Sequence, residues 1–487
     1  MLFPTVTFAV FFVVIFAAHL ALRDRPTAWK WAMLAGSYVF YGWWDWRFCG
    51  LIALSTLANW AFGAAIDGAP YRRRRTLVGF SVIANLVVLG AFKYYGFFAE
   101  AISTTFGSEH TLPALDLVLP IGISFFTFQA LSYVVDIHRG RLEGRPLLDF
   151  AVYLAFFPQL VAGPIVRATE FLPQLDRLTD RKGQVSPVAH APIEISEAAW
   201  LIGRGMFKKV VIASYLAETV VDPVFTAPSL ADRTELLLAF YGYAIQIYAD
   251  FSGYTDMAIG IALLLGFRFP TNFDNPYRAL SIQDFWRRWH MTLSRWLRDY
   301  LYIPLGGNKI SPLATYRNLM ATMILGGLWH GAAWTFVAWG TIHGVALAVE
   351  RLVENWRSDH SHQDRTLTSE GSRPGSSLLI PLARWLVTFH VVGLAWVLFR
   401  AETFGLAWDF FTGLVAAPFG PIANPLAAAV IVIAIGVQLV PADIGTRLRL
   451  AYARLDPALQ SIGFGGWIFL VARLGPEGVA PFIYFQF

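Results

Sequence analysis

Apolar stretches long enough to cross a lipid bilayer recur along most of this chain. A membrane-spanning helix needs about 20 mainly apolar residues, and nine stretches approach or exceed this length. They are Thr5–Leu22, Trp29–Trp44, Leu51–Ile66, Leu77–Phe98, Leu117–Ile137, Leu236–Leu265, Gly331–Val349, Leu378–Phe399 and Leu426–Val440. Only 15% of the residues are charged, whereas soluble proteins carry about 25%. The pattern predicts an all-α polytopic membrane protein.

The basic residues predict how the first five spans cross the membrane. Ten Lys and Arg residues lie in the segments that follow the first, third and fifth stretches, whereas the opposing loops contain only Arg47. Loops rich in Lys and Arg stay in the cytoplasm, so we expect the amino terminus on the opposite side. Because the basic residues cluster in this way, the net charge of +5 gives no sign of nucleic-acid binding.

Three segments depart from the pattern of simple spans. Phe150–Val166 is apolar, but two prolines and a glycine interrupt it between two basic stretches, which predicts a re-entrant segment. Phe285–Tyr300 carries aromatic side chains at helical spacing on one face and arginines on another, which predicts one interfacial helix. Glu354–Ser377 is rich in Ser, Asp, Arg and His, and we expect a mobile cytoplasmic loop there.

Two histidines are candidate catalytic residues. His330 lies where a glycine-rich stretch meets a long apolar helix, and an ionisable residue at membrane depth is costly enough to make function the first hypothesis. His290 lies among arginines and tryptophans in FWRRWH. A neutral imidazole can take a proton from a hydroxyl near neutral pH. Position alone leaves open that His330 is a buried imidazole hydrogen-bonded between helices.

Other catalytic signatures are absent from the sequence. The single cysteine, Cys49, excludes an internal disulfide and a cysteine-based metal site. No HExxH motif or carboxylate cluster occurs, and His343 follows His330 by thirteen residues, which is not metal-ligand spacing; we therefore predict no metal. The absence of a phosphate-binding loop and of a GxSxG motif argues against nucleotide hydrolysis and serine-hydrolase chemistry.

Seven motifs resemble those of the membrane-bound O-acyltransferase family and occur in the family's order. More narrowly, they are similar to the bacterial branch typified by alginate O-acetylase and the D-alanyl transfer protein of teichoic acid. The motifs are PIGISFFTFQALSYVVDIHRG (120–140), FFPQLVAGPIVR (156–167), YADFSGYTDMAIG (248–260), NFDNPYRA (272–279), SIQDFWRRWHMTLSRWLRDYLYIPLGGN (281–308), LGGLWHGAAWTFVAWGTIHG (325–344) and PFIYFQF (481–487).

The resemblance implies a fold and two site residues. The family fold is a ring of tilted transmembrane helices around a central funnel, here one domain over residues 1–487 with the family motifs concentrated in 120–350. His330 matches the family's presumed catalytic base, and His290 matches its second characteristic histidine. With His330 as the base, His290 or Trp329 would polarise the acyl carbonyl.

The resemblance also implies a reaction and its partners. No bound cofactor is expected; the donor substrate is a thioester of coenzyme A or of an acyl-carrier protein, offered from the cytoplasm. In this branch the acyl group crosses the bacterial inner membrane toward an exported polysaccharide such as alginate. We expect a periplasmic amino terminus, surrounding membrane lipid, and a periplasmic acetyltransferase or another polysaccharide-modifying protein as partner.

Four further residues are candidates for handling the donor and its acyl group. Arg287, Arg288 and Arg298 suit the phosphates of a thioester donor, although anchoring of the helix at lipid headgroups is an open alternative. Tyr484, in the last motif, could accept the acyl group and pass it to a partner, as the motif resembles the carboxyl-terminal aromatic-tyrosine motif of a small protein in teichoic-acid D-alanylation. Packing of the Tyr484 ring is the alternative.

We therefore expect an O-acyltransferase, specifically an O-acetyltransferase, and two other classes of protein remain as alternatives. A polytopic transporter or channel would explain intramembrane histidines and broken segments. However, the chain has no inverted repeat. Buried carboxylates that could couple transport to an ion are scarce in it, and Asp250 and Asp256 are the exceptions. A non-catalytic scaffold of a polysaccharide export complex would tolerate His330→Ala, whereas an enzyme would not.

Overall fold

The computed structural model describes the chain in residues 1–107, 117–177, 193–365, 379–476 and Ile483. All regular secondary structure in these ranges is helical, as the apolar pattern predicts. The α-helices are α1 (Val6–Leu22), α2 (Pro26–Asp45), α3 (Arg47–Asp67), α4 (Tyr71–Phe106), α5 (Ile123–His138), α6 (Leu147–Ala155), α7 (Phe157–Leu160), α8 (Ala168–Asp176), α9 (Ile195–Met206), α10 (Ser214–Leu216), α11 (Asp222–Thr226), α12 (Arg233–Leu264), α13 (Ile282–Arg288), α14 (Met291–Leu297), α15 (Pro312–His330), α16 (Trp334–Arg365), α17 (Leu379–Arg400), α18 (Phe404–Ala416), α19 (Pro425–Leu439), α20 (Ala442–Ala453) and α21 (Pro457–Leu474).

Short segments of other helical types lie between these helices. Their π-helical turns are Phe207–Ala213, Ala217–Val221 and Arg298–Tyr302, and their 3₁₀ turns are Pro228–Leu230 and Pro276–Arg278. The chain forms two units. One comprises Met1–Val211, Phe251–Pro270 and Thr446–Gln486, and the other mainly Ile212–Asp250 and Thr271–Gly445.

Four helices within the described ranges are long and apolar enough to cross a membrane, and the pair α19–α20 would add a fifth as one bent span. They are Arg47–Asp67, Tyr71–Phe106, Trp334–Arg357 and Leu379–Arg400. Large apolar side chains on α4 are exposed, among them Phe80, Ile83 and Val87. Water would disfavour so much exposed apolar surface on a helix, whereas lipid would not. The chain is a polytopic membrane protein.

A helix lies at each of the nine predicted stretches, but α5 differs from a lipid-facing span. It begins only at Ile123, and fourteen of its sixteen residues are buried. The chain breaks before it because Gly122 has a φ of 79°, a conformation that favours glycine. A Cβ at Gly122 would also lie 2.5 Å from the carbonyl oxygen of Leu160.

The predicted break in Phe150–Val166 is confirmed. The helix α6 ends at Ala155, the short α7 starts at Phe157, and the whole segment is buried. The break frees the backbone N–H of Phe157, which donates to the Ser37 hydroxyl at 3.1 Å. Buried irregular backbone requires such partners. That this segment is re-entrant stays a prediction.

Asp256, one of the two carboxylates considered for a transporter, is neutralised in the first unit. It accepts from Arg204 at 2.6 Å and from Lys208 at 2.9 Å. The helices meet closely here, since a Cβ at Gly205 would lie 2.5 Å from the carbonyl oxygen of Gly253. Asp256 of α12 is therefore paired with Arg204 of α9 and with Lys208 of the following π-helical turn, and it is not an uncompensated buried charge.

Antiparallel helices α15 and α16 form the centre of the second unit's packing. Glycines line their contact: a Cβ on Gly340 would collide with the backbone of Met323, and one on Gly327 with the backbone of Phe336. Small residues allow such close approach. The turn between these helices contains Gly331, directly after His330.

The prediction of a single helix over Phe285–Tyr300 is wrong. The structure has α13 up to Arg288, an extended Trp289, His290 with a φ of 41°, and then α14. Periodic spacing cannot reveal this break, because a bond from a distant residue stabilises it (below).

Two further expectations concern the polar loop and the ring of helices. The helix α16 continues to Arg365, through residues assigned to the loop at 354–377, and residues 366–378 lie outside the described ranges. The ring around a funnel and the single domain stay predictions.

Candidate active site

His330 lies at the carboxyl-terminal end of α15 inside an aromatic pocket. It is 4% exposed. The rings of Trp329, Trp339 and Phe399 surround it edge-on, with centroids 5.0, 5.0 and 5.1 Å from that of the imidazole. Exclusion of water from such a pocket strengthens the electrostatic interactions made inside it. The surroundings suit a base that acts on a bound hydroxyl.

His290 is fully buried and bonds to the side-chain amide of Asn272. Its Nδ1 lies 3.1 Å from Asn272 Oδ1, which also accepts from the Thr292 backbone N–H at 3.1 Å. A backbone N–H can only donate, so the Asn272 atom that it contacts is the amide oxygen. This oxygen can only accept, and His290 Nδ1 must therefore be the protonated nitrogen. His290 lies outside the four spans, and burial lowers its pKa to about 3. The neutral ring therefore presents an acceptor at Nε2, which does not suit the polarisation of a carbonyl.

The two predicted histidines lie around one tryptophan. The Trp329 ring centroid is 6.1 Å from that of His290 and 5.0 Å from that of His330. The structure thus brings together the two residues that the motifs indicated. Their catalytic roles stay predictions.

His343 continues this arrangement, whereas from the sequence it was considered only as a metal ligand and rejected. It is fully buried on α16, and its centroid is 4.8 Å from that of Trp339, which also contacts His330. Three histidines therefore alternate with two tryptophans in a series of contacting rings, in the order His290, Trp329, His330, Trp339 and His343. A signal was available, because His343 follows Trp339 by four residues on one helix face and lies in an apolar span.

Glu350 fixes α13 to α16 and was not singled out from the sequence. Its carboxylate accepts from the backbone N–H groups of Ile282 and Gln283, both at 2.9 Å. Carboxylates stabilise the amino-terminal ends of helices. Glu350 thus helps to hold the helix that carries Trp286 toward His343.

The three arginines proposed for donor binding lie in different surroundings. Arg288 pairs with Asp284 at 2.9 Å and Asp274 at 3.1 Å. The exposed Arg298 pairs with the adjacent Asp299 at 2.7 Å. Arg287 is exposed and pairs with no carboxylate among the described residues. Of the three, Arg287 is therefore the most available to an incoming anion.

A polar cleft of about 180 Å³ lies at the start of α15. Two of its residues are cationic, Lys309 and Arg351. The cleft is lined by Asn308, Lys309, Ile310, Ser311, Pro312, Thr315, Tyr316, Arg351 and Asn355. It offers a second place where a phosphate-bearing molecule could bind.

Two other predictions concern Tyr484 and metals. Tyr484 lies outside the described residues, so its role as an acyl relay stays a prediction. Within the described part of the chain, no three His, Cys, Asp or Glu side chains form a group that could hold a metal ion.

Comparison with known proteins identifies the family. A model of the membrane-bound O-acyltransferase family (MBOAT) matches residues 82–392. The chain is 42% identical over 390 residues to the "Probable alginate O-acetylase AlgI" of Azotobacter vinelandii, covering 78% of this chain and 72% of that protein. It is 38% identical over 411 residues to the peptidoglycan O-acetyltransferase of Helicobacter pylori, covering 79% and 73%.

A more distant relative is the teichoic acid D-alanyltransferase of Bacillus subtilis. It is 27% identical over 376 residues, which cover 73% of this chain and 86% of that protein. These relatives confirm the resemblance that the motifs carry. The chain belongs to the membrane-bound O-acyltransferase family and is an acyltransferase.

Proposed function

We propose that this protein is an O-acetyltransferase that moves an acetyl group from a cytoplasmic thioester across the bacterial inner membrane toward an exported polysaccharide. The observation that carries the proposal is the burial of His330 in its aromatic pocket. The relatives support the chemistry, since the names of two of those given above describe O-acetylation. Alginate is the polymer that the name of the first relative suggests.

In the proposed reaction, a ring nitrogen of His330 takes the proton of the attacking hydroxyl. The hydroxyl oxygen bonds to the thioester carbonyl carbon, and the carbonyl π electrons move to oxygen. When this intermediate collapses, the C–S bond breaks and the protonated His330 returns its proton to sulfur. The products are an ester and a thiol, so no further reactant is required.

The donor is proposed to be a thioester of coenzyme A or of an acyl-carrier protein. Its phosphates would be attracted by Arg287, with Arg288 and Arg298 nearby in sequence, or by Lys309 and Arg351 in the cleft. On the other side we propose a periplasmic amino terminus and a periplasmic polysaccharide-modifying partner. Tyr484 is the proposed relay that accepts the acyl group from the donor and passes it to this partner.

The first prediction tests His330 in cells. His330→Ala should lower O-acetylation of the polymer by about 10²–10⁴-fold, because removal of a general base has this effect. The measurement is the acetyl content of the exported polysaccharide at equal amounts of membrane-inserted protein.

A matched control is His390→Ala. His390 lies on α17 and bonds to the Tyr241 hydroxyl at 3.0 Å, so this variant makes the same chemical change outside the aromatic pocket. It should retain acetylation. Normal acetylation in the His330→Ala strain would contradict the role of His330 as the base.

A further inference from the structure

Three ring side chains of the second unit form a cluster, here called the polar aromatic cage: Trp286, Trp339 and His343. Their centroids lie 5.8, 5.2 and 4.8 Å apart, so each ring contacts the other two. Trp339 is 1% exposed and His343 is fully buried. The cage joins α13 to α16.

The cage holds polar atoms that the described chain does not satisfy. Both indole Nε1 atoms, and both ring nitrogens of His343, have no hydrogen-bond partner among the described residues. Burial of a polar group without a partner is costly, and native proteins seldom accept it. Purely apolar rings at these positions would avoid this cost. Because one nitrogen of a neutral imidazole is an acceptor, three of these four atoms are N–H donors, and they indicate a guest that accepts hydrogen bonds.

The chemistry of the cage defines that guest. An indole N–H only donates, and a neutral imidazole has one donor and one acceptor. A molecule bound by all three rings must therefore offer oxygen lone pairs. No Lys or Arg side chain is among the rings of the cage, so a neutral carbonyl oxygen suits it better than a phosphate or a carboxylate.

The cage lies beside the proposed base. Trp339 contacts His343 on one side and His330 on the other, with centroids 4.8 and 5.0 Å away. His290 cannot supply the donor that a developing oxyanion needs, because its protonated Nδ1 bonds to Asn272. The indole N–H of Trp339 belongs to a ring that touches His330 directly.

We propose that the polar aromatic cage binds the carbonyl oxygen of the acyl donor and stabilises its oxyanion during transfer. The inference rests on the acyl transfer proposed above. As the hydroxyl oxygen bonds to the carbonyl carbon, negative charge develops on the carbonyl oxygen, which accepts from Trp339 and from His343. When the C–S bond breaks, the charge leaves with sulfur and the donors release a neutral ester. Donors fixed before the reaction are an effective source of such stabilisation.

The test removes single N–H donors and keeps a planar aromatic ring at the position of each tryptophan. Trp339→Phe should lower kcat by about 10²–10³-fold, as expected for an oxyanion donor, with little change in the donor KM. The thermal stability should fall only slightly, because the cavity left by the smaller ring is offset by the removal of a polar group without a partner. The assay is incorporation of label from [¹⁴C]acetyl-CoA into polysaccharide by inverted membrane vesicles that contain the full-length protein and its native partners.

His343 provides a second pair of variants. His343→Gln keeps an N–H donor and should retain more activity than His343→Phe, although Phe is the better match for an aromatic cluster. A packing role predicts the opposite order. Trp385→Phe is the control for loss of an indole N–H, since Trp385 donates to the backbone oxygen of Tyr277 at 2.8 Å outside the cage. It should lower thermal stability and leave kcat unchanged.

Several results would overturn the inference. They are a wild-type kcat in Trp339→Phe, a loss of activity matched by a loss of thermal stability, or higher activity in His343→Phe than in His343→Gln. Failure of the underlying function is distinguishable, because wild-type vesicles would then transfer no label. If the cage variants are active and His330→Ala is inactive, the role of the cage is rejected and the role of His330 as the base stands.

Discussion

Single residues decide the geometry of the candidate site, and His290 is the clearest case. Its left-handed φ of 41° is rare for a residue with a side chain. Such strain collects at functional sites, where the surroundings stabilise it. Here Asn272 provides that support by bonding both the imidazole and Thr292. The FWRRWH motif indicated His290, but Asn272, eighteen residues earlier, could be linked to it only by the fold.

Two variants separate the backbone and the imidazole of His290. Both His290→Gly and His290→Ala remove the ring, but only glycine accepts the left-handed conformation without strain. The Gly variant should therefore be more stable by about 1 kcal/mol, measured as a higher midpoint of thermal unfolding in detergent. Equal or greater stability of the Ala variant would show that the left-handed backbone is not maintained.

A second prediction separates the roles of Arg287 and Arg288, two of the arginines proposed to bind the donor. Arg287→Gln should raise the donor concentration needed for half-maximal transfer and leave the saturated rate nearly unchanged. Arg288→Gln should instead lower thermal stability, because it leaves Asp274 and Asp284 without their partner. Initial rates in membrane vesicles over a range of acetyl-CoA concentrations distinguish the two effects. An unchanged donor requirement in Arg287→Gln would favour an anchoring role at the lipid headgroups.

At the scale of elements, the short helix α13 shows where periodicity misleads. Aromatic spacing predicts a continuous helix from Phe285 to Tyr300, but the chain breaks at His290 and Glu350 caps α13 from a distant helix. Periodicity reports which face is apolar, and it contains no information about bonds between distant residues. The apolar stretches were more informative, because the length of a span is a local property.

The Glu350 cap gives a prediction for this element. Glu350→Gln removes the charge at the amino-terminal end of α13 and should lower stability by about 1 kcal/mol. It should also lower activity, since α13 carries Trp286 of the polar aromatic cage. Thermal unfolding and transfer rates of the purified variant measure both effects.

Glu354→Gln is the matched control on the same helix. Among the described residues, Glu354 pairs with Arg351 alone, at 3.7 Å on an exposed face, and such pairs contribute little. If Glu350→Gln is as stable and as active as Glu354→Gln, the cap has no role in holding the cage.

At the scale of the whole molecule, composition and motifs predicted the class of protein but not the site's full membership. The scarcity of charge and the nine apolar stretches led to an all-α membrane protein, and the motifs led to the family. Glu350 lies in α16, far in sequence from the residues of α13 that it caps. Its importance follows from the packing of α13 against α16, which no local pattern encodes.

The central claim is that His330 is the base of a transmembrane acetyl transfer. The most direct measurement uses vesicles with the cytoplasmic face outward, given [¹⁴C]acetyl-CoA, and follows the label on enclosed polysaccharide for the wild type and His330→Ala at equal protein amounts. We predict labelled polymer inside wild-type vesicles and a rate lower by about 10²–10⁴-fold in His330→Ala. Enclosed polymer labelled at the wild-type rate by the His330→Ala protein would contradict the account.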